Sequence, residues 1–431
     1  MKKITRYAAI AAAAALAGVS LVSTPAQAAP TTITFWAMQG QVGEVNAAKQ
    51  EVAAFNSIHD DIEVKLVFKD SMGTALDATK VDALPDVYEY DGETLGHLVY
   101  DGKLLKLNGL VSSSTLNNAL TSIKAENTAT DGNTYAVSQY DSGLSLWGNK
   151  SMLKAAGVSY PTTWAKAWTA KEFTTVLTKL AAKSAGKKAI DMKENYGIGG
   201  GWAGYAFTPI ANSAGTQLLN KDKSKAAFAT AKVAAAMKTW ASWKKFSDPS
   251  ADDSAFTKKR VALAWVGHWA GPGIRAALGK DAVLIPLPNF GAGSKSGQGS
   301  HSLAIGSKTK NAAAAAKFLE FITSDQWIIN LTTQNGAVPA SKTALANSKD
   351  YAKGGVLALY GEQLAASCGE AVPTAKCVTV PRSITPAWPT INTEFSKAAQ
   401  TIWDGGDALA ALQKAAKAID QNIADNGGYK N

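Results

Sequence analysis

The sequence is poor in the residues from which catalytic and metal centres are most often built. Its 431 residues include four histidines, two cysteines and four arginines. It has no H-E-x-x-H helix motif, no C-x-x-C pair and no G-x-S-x-G turn, so zinc-protease, thiol-redox and serine-hydrolase sites lack support. The glycines at 199–201 also lack the spacing of a phosphate-binding or dinucleotide-binding loop. We therefore predict no metal, no cofactor and no catalytic residues.

Long apolar runs are scarce, and the one at residues 8–22 lies close to the N-terminus. Lys2, Lys3 and Arg6 precede it, and the small-residue sequence A-Q-A ends at Ala28. A basic start, an apolar stretch and a small-x-small site are typical of an export signal. The run is about 15 residues, shorter than the roughly 20 that span a bilayer, which favours cleavage over an uncleaved membrane anchor. We predict cleavage near Ala28 and a soluble product, periplasmic or extracellular.

Acidic residues are fewer than basic ones, and the formal net charge is +10. The lysines are scattered among aspartates and glutamates, and the densest basic clusters, at 244–245 and 258–260, are short. A nucleic-acid-binding protein would concentrate such charges on one face. We interpret the excess as a solvated surface and predict no nucleic-acid partner.

The two cysteines, Cys368 and Cys377, lie close together in a stretch that contains glycine and proline. In an exported protein the oxidising surroundings favour a disulfide that closes this small loop. A zinc site has less support, because no histidine lies near either cysteine in the sequence. We predict a Cys368–Cys377 disulfide.

Short strand-like segments alternate with longer helical segments along the chain. An alternating apolar run at 31–36, a helical pattern at 45–57 and a second alternating run at 62–68 predict a parallel β-α-β unit. Farther along, helical tracts are predicted at 225–246 and 407–424. This alternation predicts an α/β fold. Because the chain is too long for one compact core, we expect two lobes.

The sequence contains twelve tryptophans. Flat aromatic rings stack on the apolar C–H face of a sugar, while polar neighbours bind its hydroxyls. Tryptophans at predicted strand ends or in loops are candidates for this role, namely Trp36, Trp202, Trp265, Trp269 and Trp388. Core packing is the alternative, and it is favoured for the tryptophans in helical tracts, namely Trp240, Trp243, Trp327 and Trp403.

Several motifs follow one another in the order found in one protein family. They are I-T-F-W at 33–36, N-K at 149–150, A-A-G-V at 155–158, P-T-T-W at 161–164, G-H-W at 267–269, A-A-A-K-F-L-E-F-I-T-S at 314–324 and N-G-A-V-P at 335–339. With them the chain resembles the solute-binding proteins of carbohydrate ABC importers, the group that contains the maltose-type binding proteins. The likeness runs from about residue 31 to residue 423. It departs at Gly148, where the family commonly has tyrosine, and the Cys368–Cys377 loop is not a general family feature.

The resemblance implies a two-lobe periplasmic-binding-protein fold of the α/β class, with a hinge of three crossovers and a ligand cleft between the lobes. The crossovers are expected near residues 137–141, 299–303 and 339–343. The expected segments are a signal peptide at 1–28, lobe 1 at 29–138 and 301–341, and lobe 2 at 139–300 and 342–431. The lobes would close over the ligand by hinge motion.

The resemblance also implies which residues bind the ligand. Trp269 is expected to be the main stacking ring, and charged side chains such as Arg382 would make the strongest bonds to hydroxyls. His268 and His301 are expected to be structural. The full set of expected ligand-binding residues is Trp36, Gln39, Tyr90, Glu93, Asp141, Trp202, Tyr205, Trp269, Arg382 and Trp388.

The implied function is high-affinity binding of a mono- or oligosaccharide and its delivery to the membrane permease subunits of an ABC importer. The protein would be a monomer and not an enzyme. One alternative is a protein of the same fold that binds a non-sugar solute such as a polyamine, a phosphate ester or iron. An aromatic-rich sequence with few arginines favours a neutral sugar over these. The other alternative is a secreted glycan-active enzyme, which would release reducing sugar from oligosaccharides.

Overall fold

The computed structural model describes residues 29–352, 354–369 and 374–429. The expected signal peptide and its cleavage site lie outside the described residues. The strands, in chain order, are β1 (Thr31–Met38), β2 (Ile62–Lys69), β3 (Val87–Asp91), β4 (Ala136–Val137), β5 (Tyr140–Asp141), β6 (Leu144–Asn149), β7 (Ile190–Asp191), β8 (Ser247–Asp248), β9 (Leu263–Gly267), β10 (Ala282–Ile285), β11 (Ser296–Gln298), β12 (His301–Ile305), β13 (Val338–Pro339) and β14 (Thr379–Pro381).

The helices alternate with these strands along most of the chain. In chain order they are α1 (Val42–Ile58), α2 (Met72–Ala78), α3 (Leu95–Tyr100), α4 (Ser113–Asn118), α5 (Thr121–Asn127), α6 (Lys150–Ala155), α7 (Ala170–Lys183), α8 (Gly201–Ala206), α9 (Thr208–Ser213), α10 (Ala231–Ala241), α11 (Gly271–Leu278), α12 (Ala312–Ile322), α13 (Asp325–Asn335), α14 (Lys342–Asn347), α15 (Ala358–Ala365), α16 (Trp388–Trp403) and α17 (Ala408–Asp425). In the part of the chain that the structure describes, no helix is both long and apolar enough to cross a membrane.

Lobe 1 is built on a five-stranded sheet in the order β2-β1-β3-β12-β4. The predicted β-α-β unit is confirmed, because α1 connects the parallel neighbours β1 and β2. β12 runs antiparallel to both β3 and β4. Alternate residues of β1, Ile33, Phe35 and Ala37, are buried, as expected for a strand with one covered face. Phe35 packs edge-to-face against Phe318 of α12, at 5.3 Å between ring centroids.

Lobe 2 is built on a second five-stranded sheet in the order β10-β6-β9-β7-β8. Every residue of β6 and β9 is buried, because helices and loops cover both faces of the sheet. Trp265 lies inside β9 and is 1% exposed, so it is a core residue and not a strand-end ring available to a ligand. The tryptophans expected in the core from their helical tracts, Trp240, Trp243 and Trp403, are buried there, while Trp327 is half-buried.

One of the predicted helices is shorter than its sequence pattern. The tract at 225–246 was predicted to be helical throughout, but α10 begins only at Ala231 and ends at Ala241. The hydroxyl of Thr230 accepts a hydrogen bond from the backbone N–H of Val233, which caps the helix and fixes its start. Beyond Ala241 the chain continues as a tighter 3-10 turn to Phe246.

Three crossovers join the two sheets and form the hinge. The first runs from β4 through β5 to β6, and the second links β11 to β12. The third follows β13, which pairs with β5 through Val338 opposite Asp141 and Pro339 opposite Tyr140. This is the two-lobe fold with a three-crossover hinge that the sequence implied. The lobe boundaries given above stay a prediction.

Cys368 and Cys377 form the predicted disulfide. Cys377 is buried and closely precedes β14, which pairs in parallel with β11. The ammonium group of buried Lys295 donates hydrogen bonds of 2.5 Å to the carbonyl oxygens of Thr374 and Cys377. These contacts hold the disulfide loop, which continues into β14 and Arg382, against the start of β11.

Candidate ligand cleft between the lobes

A cavity of about 370 Å³ lies where the two lobes meet the hinge. Lobe 1 contributes the start of α1, the end of β3 and the first residue of β12, while lobe 2 contributes α8, the turn after β9 and the residue after β14. Aromatic rings together with a few polar groups are typical of small-molecule sites. The lining residues are Gly40, Gln41, Glu44, Asp91, Glu93, Tyr140, Ser142, Gly201, Tyr205, His268, Trp269, Gly299, Ser300, His301 and Arg382.

Tyr205 and Trp269 form an aromatic wall of the cleft. Both are half-buried, and their ring centroids lie 6.0 Å apart with an angle of 39° between the planes. Trp202 packs edge-to-face against Trp269, at 6.1 Å and 85°. The position of the Trp269 ring depends on Gly267, because a Cβ atom at this glycine would overlap the ring. Rings held in this way offer a flat apolar surface for the C–H face of a sugar.

Arg382, the residue after β14, contacts two carboxylates, Glu93 and Glu126. Its Nη1 lies 2.5 Å from Oε2 of Glu93, and its Nη2 lies 3.7 Å from Oε1 of Glu126 on α5. The guanidinium carbon is 5.2 Å from the centroid of the Tyr205 ring. Gly299 makes room for this arrangement, because a Cβ atom there would overlap the guanidinium. The buried Nε of Arg382 has no hydrogen-bond partner among the described residues.

Burial shifts the protonation of the carboxyl groups around Arg382. It raises the pKa of Glu93 and that of Glu126 to about 7 each, although the charge of Arg382 opposes the shift. Burial also raises the pKa of Asp141 to about 6, although Ser122 and Gln298 donate hydrogen bonds to it. At neutral pH, Glu93 and Glu126 are therefore close to the midpoint of their titration.

Two histidines, His268 and His301, line the cleft, although each was expected to be structural. Nδ1 of His301 lies 2.9 Å from Oε1 of Glu89, and its Nε2 lies 3.6 Å from Oδ1 of Asp91. Burial lowers the pKa of His301, but the hydrogen bond and charge of Glu89 more than offset this and raise the pKa to about 10. Burial lowers the pKa of His268 to about 4. At neutral pH, His301 is therefore a cation and His268 is neutral.

The structure brings only part of the expected ligand-binding set together around this cavity. Four of those residues line it, namely Glu93, Tyr205, Trp269 and Arg382. Trp202 does not line the cavity but packs against the Trp269 ring from the protein interior. It is buried, and its Nε1 donates a hydrogen bond to the carbonyl oxygen of Met192. Ligand contact stays a prediction for each residue of the set.

The remaining expected residues lie outside the cavity lining. Tyr90, Asp141 and Trp388 are almost fully buried in the protein interior. Trp36 is covered by the ammonium group of Lys69, which lies 3.8 Å from its ring centroid. Gln39 is exposed and immediately precedes the lining residue Gly40.

Several lining residues were not expected from the sequence, among them Glu44, Asp91, Tyr140 and Ser142. Each is a common residue type and lies in no motif. Asp91 stands opposite His301 in the pairing of β3 with β12, a neighbour far away in the chain. Only the register of the sheet reveals such a pair.

A larger cavity, of about 740 Å³, lies in lobe 1 beside the hinge. Its lining comes mainly from α4, α5 and the adjoining ends of α12 and α13, and among the described residues it includes no aromatic side chain. It therefore offers no ring for stacking, and the cleft between the lobes is the candidate site. Within the described ranges, no three His, Cys, Asp or Glu side chains are placed to hold a metal ion.

Comparison with known proteins agrees with this architecture. The family model described as bacterial extracellular solute-binding protein matches residues 40–328. No curated protein is similar enough in sequence to match the chain.

Solved structures of sugar-binding proteins share the fold. The GacH receptor of Streptomyces glaucescens, described unliganded and in complex with acarbose, is 19% identical, with 93% of this chain and 100% of that chain covered and a TM-score of 0.73. The cyclic alpha-maltosyl-1,6-maltose binding protein of Arthrobacter globiformis is 21% identical, with 92% and 100% covered and a TM-score of 0.72. The sugar-binding protein MalE of Xanthomonas citri is 21% identical, with 92% and 98% covered and a TM-score of 0.73. At these identities the likeness shows the fold alone.

Proposed function

The chain belongs to the bacterial extracellular solute-binding protein family, and from that premise we propose that it binds a sugar, a mono- or oligosaccharide, in the cleft between its lobes. Family membership makes it a solute-binding protein and not an enzyme, as the sequence predicted. The observation that carries the sugar proposal is the pair of half-buried rings, Tyr205 and Trp269, beside the buried donor Arg382 and the carboxylate of Glu93. Stacking rings next to charged hydrogen-bonding groups suit a ligand with apolar faces and many hydroxyls.

The described complexes of structural neighbours support this choice of ligand class. The GacH receptor binds acarbose, and a cyclo/maltodextrin-binding protein of the same fold was solved with maltotetraose. We extend from these proteins only the class of ligand, a carbohydrate, because the identities are 19% and 16%.

We further propose that the loaded protein delivers its sugar to the membrane permease subunits of an ABC importer. Ligand that contacts both lobes favours the closed form, because only there does it touch Trp269 and Tyr205 on one side and the lobe 1 carboxylates on the other. The protein would act as an exported monomer after cleavage near Ala28, in the periplasm or outside the cell.

The test is a titration of intrinsic tryptophan fluorescence with a panel of mono- and oligosaccharides, using the chain from residue 29 onward. Wild type is compared with Trp269→Ala, which removes the wall ring, and with Trp327→Phe, which changes a half-buried tryptophan outside the cleft lining. We expect a saturable change with one group of sugars, lost in Trp269→Ala and kept in Trp327→Phe. If no sugar of the panel changes the fluorescence of a folded protein, the ligand is a non-sugar solute. Release of reducing sugar from oligosaccharides would instead indicate an enzyme.

A further inference from the structure

The charges around the cleft are unbalanced. The cavity is lined by three carboxylates, Glu44, Asp91 and Glu93, and by two cations, Arg382 and His301. Both cations are already engaged by carboxylates. Arg382 lies between Glu93 and Glu126, and His301 lies between Glu89 and Asp91. The acidic groups are therefore in excess, although the whole chain carries a formal charge of +10.

Glu44 is the lining carboxylate that has no ion-pair partner within 4 Å among the described residues, although it closes the capping box at the start of α1. Its Oε2 accepts a hydrogen bond of 2.9 Å from the backbone N–H of Gln41, and its Oε1 accepts one of 3.2 Å from the side-chain amide of Asn335. Both donors are neutral, and among the described residues Glu44 makes no ion pair. Gly40 and Gln41, beside it, also line the cavity, so this carboxylate stands at the lobe 1 wall.

Asp91 is compensated only in part. Its one cationic neighbour within 4 Å among the described residues is His301, with 3.6 Å between Oδ1 and Nε2, and the same imidazolium is held more closely by Glu89 at 2.9 Å. The side chain of Asp91 is 48% exposed. It can therefore approach a ligand without losing an existing strong bond.

Two further features point to a ligand with both hydroxyls and a cation. The guanidinium of Arg382 lines the cavity and its Nε has no hydrogen-bond partner among the described residues, so a sugar oxygen is a suitable acceptor for this group. The face of Trp269 attracts cations as well as C–H groups, whereas the Tyr205 ring is already contacted by Arg382. A cleft lined mainly by charges of one sign also concentrates ligands of the opposite sign.

We propose that the ligand is an amino sugar, or an oligosaccharide that contains one, whose protonated amine lies between Glu44, Asp91 and the ring of Trp269. This inference rests on the proposed function, since it names the class of sugar that the same cleft takes. It revises the expectation of a neutral sugar, which came from the small number of arginines and took no account of the carboxylates at the cleft wall.

The discriminating experiment uses three ligand series that differ only at carbon 2 of each sugar unit. Glucosamine oligomers carry an ammonium group there, N-acetylglucosamine oligomers carry a neutral amide, and glucose oligomers of the same linkage carry a hydroxyl. Dissociation constants are measured by calorimetry for chains of equal length, at low salt and at about 0.5 M salt. We expect the ammonium series to bind at least about tenfold more tightly and to lose most of that advantage at high salt.

Variants identify the groups responsible. Glu44→Gln combined with Asp91→Asn should abolish the preference for the ammonium series, while Glu63→Gln, an exposed carboxylate on β2, should leave it unchanged. Equal affinity for charged and neutral ligands in wild type would overturn the inference and leave the proposed sugar function standing. Binding of none of these ligands, nor of any other sugar in the fluorescence panel, would overturn the proposed function and this inference with it.

Discussion

The guanidinium of Arg382 and the carboxylate of Glu93 meet 2.5 Å apart at the wall of the cleft. The pair is almost completely withdrawn from solvent, with side chains 10% and 11% exposed. Ile384, two residues beyond Arg382, packs in the same buried cluster as Tyr88 and Leu95, so this segment is fastened to the first sheet. The contact therefore helps to set the shape of the site.

Arg382→Met should destabilise the protein strongly at pH 8. Removal of one partner from a buried ion pair typically costs about 3–5 kcal/mol, because the other charge stays buried without compensation. At pH 5.5 the loss should be smaller, because Glu93 and Glu126 have a raised pKa of about 7 and take up protons instead. Urea unfolding at the two pH values measures the difference.

The matched control is Arg275→Met. Arg275 pairs with Asp350 at 2.8 Å, but both side chains are substantially exposed. Exposed pairs contribute about 0–1 kcal/mol, so this variant should change stability little at either pH. A loss for Arg382→Met that is the same at pH 5.5 and pH 8 would show that Glu93 and Glu126 do not titrate as described.

Stability should fall as the pH rises from about 6.5 to about 10. The pKa of His301 is raised from 6.5 to about 10, so its stabilising charge is fully present below pH 6.5 and is lost as the imidazolium deprotonates in the folded state. His301→Gln should remove this part of the slope, a change of roughly 2–4 kcal/mol across the range. His268→Gln is the control, because the lowered pKa of His268 confines its contribution to lower pH. Equal slopes for wild type and His301→Gln would count against the Glu89–His301 ion pair.

Loss of the disulfide should weaken ligand binding as well as folding. In the double variant Cys368→Ser with Cys377→Ser, the chain-entropy model gives a loss of roughly 2–3 kcal/mol in unfolding free energy. The loop also anchors the strand that precedes Arg382, through Lys295 and the pairing of β14 with β11. We therefore expect a weaker sugar affinity in native conditions, whereas an unchanged affinity would limit the disulfide to a role in stability.

Gly299→Ala should reduce ligand affinity by about tenfold or more, because the new methyl group would overlap the guanidinium of Arg382 and displace it. Gly273→Ala is the matched control. Gly273 lies on the exposed surface of α11, where a Cβ atom would meet open space, so alanine there should stabilise the helix slightly. Calorimetric titration of both variants with the same sugar gives the comparison, and equal affinities would mean that Arg382 can move without cost.

More of the fold than of the ligand site could be predicted from the sequence. Periodicity located β1, α1 and β2, because these elements follow one another in the chain and each has a clear apolar face. It overextended α10, because the apolar pattern continues through 225–230 and gives no sign that the hydroxyl of Thr230 starts the helix.

The cleft was harder to predict because its walls come from distant segments. Trp269 and Arg382 could be named because the family resemblance reaches them. Trp388 could equally be named, yet it begins α16 and points into the core, with 1% exposure. Glu44 and Asp91 could not be named, because an ordinary carboxylate becomes a cleft residue only through the packing of α1 and the register of β3 with β12.

The position of β12 has a consequence for the order in which the protein can fold. Ala304 pairs with Tyr88 on one side and with Ala136 on the other, so β12 lies between two strands that are synthesised long before it. Until the ribosome has made β12, the first sheet has a gap, and β3 and β4 have no common partner. The first sheet therefore cannot be completed until residues 301–305 have been made, since non-local pairings of this kind form late. For a chain that is exported, this delay keeps a large part of the polypeptide unfolded and able to thread through a narrow pore.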